Sequence, residues 1–226
     1  MERMPPHPHR RDTVVAELVA DAHAVRPLWP VGARFALWML FPALGMALAA
    51  GSTRMPDLGA HLREPAFVAQ VAALLTAALW WGFLALRASV PGREPRPAEL
   101  ALAGLLAGTA LTLAWGQAPE TVAAHDGSAA GFVWSGLPCS GYSLMFATLP
   151  WIAALIALRR GAPLAPRMSA ALAGGAAFLA AAAALRMACP LTDGRWHLLA
   201  WHLLPVAAGV AVSAAAGAPW IRRWRT

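Results

Sequence analysis

Residues 65–86 read PAFVAQVAALLTAALWWGFLAL, an uncharged run closed on one side by Glu64 and on the other by Arg87. A helix rises about 1.5 Å per residue, so about 20 such residues cross the roughly 30 Å of hydrocarbon in a bilayer. Pro65 suits the first helical turn, where its missing N–H would have had no partner. Five more stretches follow the same pattern, at about 34–51, 97–115, 140–158, 166–185 and 197–221. Pro97 and Pro166 repeat the proline entry. Arg159 and Arg160 close one stretch, and Arg222, Arg223 and Arg225 close the last. Spanning helices account for six such runs because a helix satisfies its own backbone hydrogen bonds in lipid. The expected fold is all-α: a polytopic membrane bundle of six transmembrane helices over 31–226, preceded by a cytoplasmic segment, 1–30.

Composition agrees. Of 226 residues, 59% are hydrophobic and 13% charged, with mean hydropathy +0.54, whereas soluble domains carry about 25% charged residues. The net charge of +7 raises the question of nucleic acid. However, all 18 basic residues are arginine, and they fall between the apolar stretches or at their ends. They read as signals at the lipid surface, with membrane lipid and not nucleic acid as the partner.

Their distribution sets an orientation, because cytoplasmic segments are enriched in arginine. With the N-terminus inside, Arg3, Arg10, Arg11, Arg26, Arg34, Arg87, Arg93, Arg96, Arg159, Arg160, Arg167, Arg222, Arg223 and Arg225 are cytoplasmic. Only Arg54, Arg63, Arg186 and Arg195 fall outside, and the long outer loop 116–137 has none. Both termini are therefore expected in the cytoplasm of a bacterium, with the chain a multi-pass protein of the inner membrane. The first thirty residues lack the apolar core of a cleavable signal, so the first span is expected to serve as the targeting segment. Trp38, Trp80, Trp81, Trp115, Trp134, Trp151, Trp201, Trp220 and Trp224 lie near predicted ends and resemble interfacial belts.

The start of the chain, Met1 to Arg11, is rich in proline and arginine and reads as disordered; His7 and His9 within it are at most a weak metal site. From Asp12 to Val25, helical spacing collects Val14, Val15, Leu18, Val19, Ala22 and Val25 on one face, with Asp12 a candidate N-cap. This amphipathic segment offers Val14, Val15, Leu18, Val19, Asp21 and Arg26 to a partner, or else lies on the membrane surface. Small-residue pairs, Gly104 with Gly108 and Ala170 with Gly174, allow close helix approach. Pro42, Pro150 and Pro205 should each kink or interrupt a span.

Two cysteines carry the most distinctive chemistry. Cys139 precedes the fourth span and Cys189 follows the fifth, so both are expected outside at similar depth. They suit a disulfide or, when reduced, a thiophilic metal ion bound transiently; a plain tie between loops, or two inert thiols, fits equally. His197 could complete a metal site, with His125 in the long loop as a further candidate. His202 lies deeper in the last span, where an ionisable group is costly, and ranks below the cysteines. There is no nucleophile elbow, zinc-protease motif, phosphate loop or C-x-x-C pair, so the chain reads as a non-enzyme.

The run Leu18 to Leu28 with Pro30, Arg63-Glu-Pro-Ala-Phe67, Ser89-Val-Pro-Gly92, Cys139, Pro150, the turn Arg159 to Pro166, Cys189-Pro190 and Trp201-His-Leu-Leu-Pro205 together resemble the NrsF-type negative regulators of sigma F. These are six-helix inner-membrane anti-sigma factors of proteobacteria. The resemblance implies that the chain holds an extracytoplasmic-function sigma factor on the cytoplasmic side and releases it on a periplasmic redox or metal signal. It further implies that Cys139 and Cys189 are the sensing pair. A small membrane transporter or thiol-redox membrane enzyme is the competing reading; intramembrane carboxylates and close cysteine pairs, which those functions favour, are missing.

Overall fold

The structure is a computed structural model that describes residues 10–20, 27–52, 55, 57–117, 129–189 and 194–222. Among these it is entirely helical apart from turns. The elements are α1 (Arg10–Ala20), α2 (Val31–Ser52), a single turn α3 (Leu58–His61), α4 (Pro65–Arg87), α5 (Pro97–Gln117), α6 (Ala129–Arg160), α7 (Pro166–Ala188) and α8, which runs over 195–222. Five of them, α2, α4, α6, α7 and α8, are long and apolar enough to cross a membrane. α5 is helical over 21 residues, and its shorter apolar part is Pro97–Leu113.

Pro65, Pro97 and Pro166 each open a helix as expected. The fourth apolar stretch was expected to begin near residue 140, but α6 already starts at Ala129 and runs 32 residues, about 48 Å. Residues 129–137 of the expected outer loop 116–137 are thus helix. Pro138 and Pro150 both lie inside α6, since the carbonyls that a proline frees in such a helix find other partners. Helical backbone is already present at Arg10, so Asp12 is not the N-cap of α1. Val25, Asp21 and Arg26 lie outside the described residues.

α7 is the axis of the bundle. Every residue from Leu172 to Arg186 is buried, and α2, α4, α6 and α8 pack around it while α5 lies against α4. Small side chains make this possible. A Cβ on Gly174 would strike Ser213 Oγ and the Gly209 carbonyl, one on Gly175 would strike Trp81, and one on Gly209 would strike Phe178. The Ala170–Gly174 pair is therefore the seam between α7 and α8, where Ala170 also meets Gly217. Gly104 and Gly108 face open space, and their spacing serves no contact among the described residues.

Several tryptophans tie helices together. Trp38, buried, donates its indole N–H to the Pro150 carbonyl of α6 at 2.8 Å. Trp81 and Trp80 of α4 donate to the Ala103 and Glu99 carbonyls of α5 at 2.9 and 3.3 Å. These three are structural rather than interfacial. Among the described residues, Trp29, Trp115, Trp134, Trp196 and Trp220 are exposed.

One end of the bundle is rich in arginine. There the α4–α5 turn and the α6–α7 turn are joined, because Ala162 N–H donates to the Ser89 carbonyl at 2.8 Å and Gly161 leaves no room for a Cβ against that same carbonyl. Ser89 Oγ donates to Leu86 O and accepts from Arg34 Nη1, each at 2.6 Å. Arg87 grips the Glu99 carboxylate with both terminal nitrogens, and the Arg96 N–H caps the same carboxylate at 2.7 Å. Gly92, at φ 79°, makes the α4–α5 turn possible.

Gly174→Val is expected to overpack the α7–α8 seam and cost about 1–3 kcal/mol, while Gly104→Val should be nearly neutral. Thermal unfolding of the detergent-solubilised protein, followed by circular dichroism, distinguishes the two; equal midpoints would refute the seam.

Candidate functional site

At the end of α7 away from the arginine-rich turns, three elements converge. α6 presents Cys139, the residue after α7 presents Cys189, and the start of α8 presents His197 and His202. Cys189 closes α7, its N–H bonded to the Leu185 carbonyl at 2.8 Å. Cys139 is brought up to it by Gly136, one turn earlier on α6, whose missing side chain leaves the space taken by the Trp201 ring of α8. Leu185 and Trp201 then enclose the two sulfurs in a small apolar cluster.

The two sulfurs lie 3.2 Å apart. His197 Nε2 is 3.5 Å from Cys139 Sγ and 3.6 Å from Cys189 Sγ. The His197 and His202 rings cross at 66° with centroids 5.6 Å apart. One ligand atom from each of the four residues can be chosen so that all lie within 4.8 Å of one another, and all four residues are buried. Both cysteines are free thiols. Two reduced sulfurs at this separation can be joined by loss of two electrons, or share an ion.

The winding of α8 brings the histidines together. His197 and His202 are five residues apart, and at 100° per residue an α-helix would turn them about 140° away from each other. Over Leu198–Leu203 the helix instead adopts the wider π form, with i to i+5 hydrogen bonding, which is frequent at functional sites. The normal winding resumes at Leu204, immediately before Pro205. Pro205 thus marks the local break expected of it: without an N–H it cannot continue the preceding ladder.

Next to the cluster lies a feature the sequence reading passed over. Arg186, counted there as an arginine of the outer surface, is buried inside α7, three residues before Cys189. Its Nε donates to the Oε1 of buried Gln70 on α4, and its guanidinium lies 5.1 Å over the Phe67 ring. An arginine inside a nearly uniform alanine helix, and a glutamine inside an apolar span, were the available signals. On the rim, Trp115 of α5 meets Trp196 of α8 edge-on at 5.4 Å, and Arg195 lies 5.0 Å over Trp115.

Of the residues singled out from the sequence, Cys139, Cys189, His197 and His202 come together. His202, ranked below the cysteines, belongs to the same cluster as His197. His125 lies outside the described residues. Val14, Val15 and Val19 of α1 are exposed and share no site with the cysteines; Leu18 lies on the same helix.

A helical membrane protein with a buried thiol and imidazole cluster at one end of the bundle is the class that fold and site define. The family model described as negative regulator of sigma F matches residues 18–224. The chain belongs to the family of negative regulators of sigma F. No curated protein and no solved structure matches. The family's description implies a regulatory, anti-sigma role with a sigma factor as partner.

Treating the reduced, solubilised protein with diamide is expected to link Cys139 to Cys189 within one chain, consuming two thiols and speeding migration on a non-reducing gel. Gly136→Val should displace Trp201 and raise the rate at which maleimide labels the buried thiols several-fold; unchanged labelling would show that Trp201 does not shield them.

Proposed function

We propose that this protein is a six-span anti-sigma factor of a bacterial inner membrane, with both termini in the cytoplasm. It holds an extracytoplasmic-function sigma factor there and releases it when Cys139 and Cys189 report a periplasmic redox or metal signal. α5, with Pro97 at its start and 21 helical residues, supplies the sixth crossing. The turns at 88–96 and 161–165, with Arg93 and Arg96 in the first and Arg159, Arg160 and Arg167 flanking the second, then face the cytoplasm, and the cysteine cluster faces outward.

The observation that carries this reading is the placement of the two ends. Cys139 and Arg159 lie twenty residues apart on one helix, about 30 Å. Cys189 and Pro166 stand at the two ends of α7. Any change in how the two sulfurs are joined shifts α6 against α7. The other end of that helix pair is the turn bonded through Ala162 to Ser89. A close-packed seam passes such a shift on instead of absorbing it.

The signal enters as chemistry at sulfur. A two-electron oxidant such as a peroxide takes the two thiols to a disulfide, with both protons and both electrons leaving as the peroxide becomes water. Alternatively, a thiophilic ion bridges the two thiolates. Coupling between two such sites typically amounts to about 1–3 kcal/mol, or about 5–150-fold in affinity for the partner.

On the cytoplasmic side, α1 supplies apolar anchors. Val14, Val15 and Val19 are 48%, 52% and 68% exposed, the pattern of a helix that lays one face into a groove. Leu18 belongs to the same face by spacing. Asp21 and Arg26 continue the segment in sequence and complete the proposed contact.

Co-purification in mild detergent is expected to bring a sigma factor with the protein, and Val14→Asp with Val19→Asp should weaken that association by about tenfold or more. Replacing Cys139 and Cys189 by serine should abolish induction of sigma-dependent transcription by oxidant or metal; unchanged induction would remove the cysteines from the mechanism. Alkaline phosphatase fused within 118–128 should be active and fused after residue 226 inactive, and the reverse pattern would overturn the orientation.

A further inference from the structure

We infer that Cys139, Cys189, His197 and His202 form a closed four-ligand site for a divalent cation of the zinc class, with the π-wound turn of α8 bringing His202 round beside His197. The inference deepens the reading of this cluster as the sensing end by naming its ligand. A cysteine pair alone would favour ions content with two sulfurs. Two added imidazoles make the donor set that of structural zinc sites, Cys₂His₂.

Distances support this. Tetrahedral zinc with bonds of about 2.3 Å to sulfur and about 2.0–2.1 Å to nitrogen has sulfur–nitrogen edges of about 3.5 Å. The two sulfur to His197 Nε2 distances are 3.5 and 3.6 Å. The sulfurs, at 3.2 Å, need only open by about half an ångström to reach the corresponding edge. The outer limit of 4.8 Å for the set closes with small rotations of side chains.

The π turn is a second, independent pointer. An α-helical His-x₄-His does not place both rings on one face, whereas the altered winding over Leu198–Leu203 brings both to the sulfurs. His202 supplies a third. Its ring is fully buried, with no oxygen or nitrogen partner for either ring nitrogen among the described residues, and Cys189 is the polar group that faces it. A buried polar group left so is destabilising, and donation of one ring nitrogen to an ion relieves that nitrogen's share of the penalty.

Charge completes the argument. Two thiolates and one divalent ion sum to zero, and a neutral site is what an apolar surround of Leu185 and Trp201 tolerates. Both thiols lose their protons on binding, so affinity rises with pH. Zinc and cadmium suit mixed sulfur and nitrogen donors; magnesium and calcium, which require oxygen, do not.

The full chain, purified in detergent and kept reduced, is to be titrated with Co²⁺. One equivalent is expected to bind with the sulfur-to-cobalt charge-transfer band and the intense visible bands of tetrahedral Co²⁺, and Zn²⁺ should displace it. His197→Ala and His202→Ala should each weaken binding by at least about tenfold, a loss seen even when an outer partner of a metal ligand is removed. Cys139→Ser should abolish the charge-transfer band. A Zn²⁺-dependent rise in melting temperature, seen in the parent and absent from His202→Gln, reads the same site without relying on the spectrum. Tetrahedral Co²⁺ bound equally tightly by the double histidine variant would overturn the inference, as would a reduced parent that binds no Co²⁺. Sigma co-purification is measured on the same preparations. Lost metal binding with sigma retained sinks the site alone, and metal binding with no sigma partner sinks the anti-sigma reading alone.

Discussion

The structure depends on how closely helices can approach α7. Between helices in lipid there is no hydrophobic gain to drive association, so contact must come from close packing and from hydrogen bonds between helices. A run of alanine and glycine from Ala170 to Ala184, broken only by Leu172, Phe178 and Leu179, presents a nearly smooth cylinder. Four helices can lie against it at once. Where a neighbour has bulk, α7 has glycine, as at Gly175 against Trp81; where α7 has bulk, as at Phe178, the neighbour has Gly209.

The few polar groups inside the bundle are placed with equal economy. Trp38 and Trp81 each spend an indole N–H on a backbone carbonyl of another helix. Arg186 is the most demanding, since a charged group within the membrane is costly unless partnered. Gln70 and the face of Phe67 partner it from α4, which locks α4 to α7 one turn from Cys189. The thiol and imidazole cluster therefore sits on a rigid corner made by α4, α6, α7 and α8.

Much of the architecture was legible from composition. Long uncharged runs, proline entries and arginine exits located the helices because lipid imposes length and backbone self-satisfaction on any segment that crosses it. The start of α6 was missed because Gly131, Ser135, Gly136 and Pro138 are read in water as breakers, whereas a buried membrane helix tolerates them. Arg186 was misplaced because an arginine at the end of an apolar run resembles a surface charge. Only the partner on α4, distant in sequence, makes it an interior one.

The site divides the same way. Cys139 and Cys189 were expected at one level because two long apolar runs lie between them, and in the structure α6 and α7 do bring the two sulfurs together. His202 could not be paired with His197 from sequence, because five residues of α-helix point them apart. It took the π turn, with Trp201 wedged against Gly136, to bring both rings to the sulfurs. By itself, then, the sequence determined the apolar helices and that the two thiols lie at one end of a helix pair, because these follow from hydrophobicity and from the order of the apolar runs. The tertiary structure alone decided which small residues form seams and which imidazoles join the thiols, because both depend on the local winding and the exact approach of neighbouring helices.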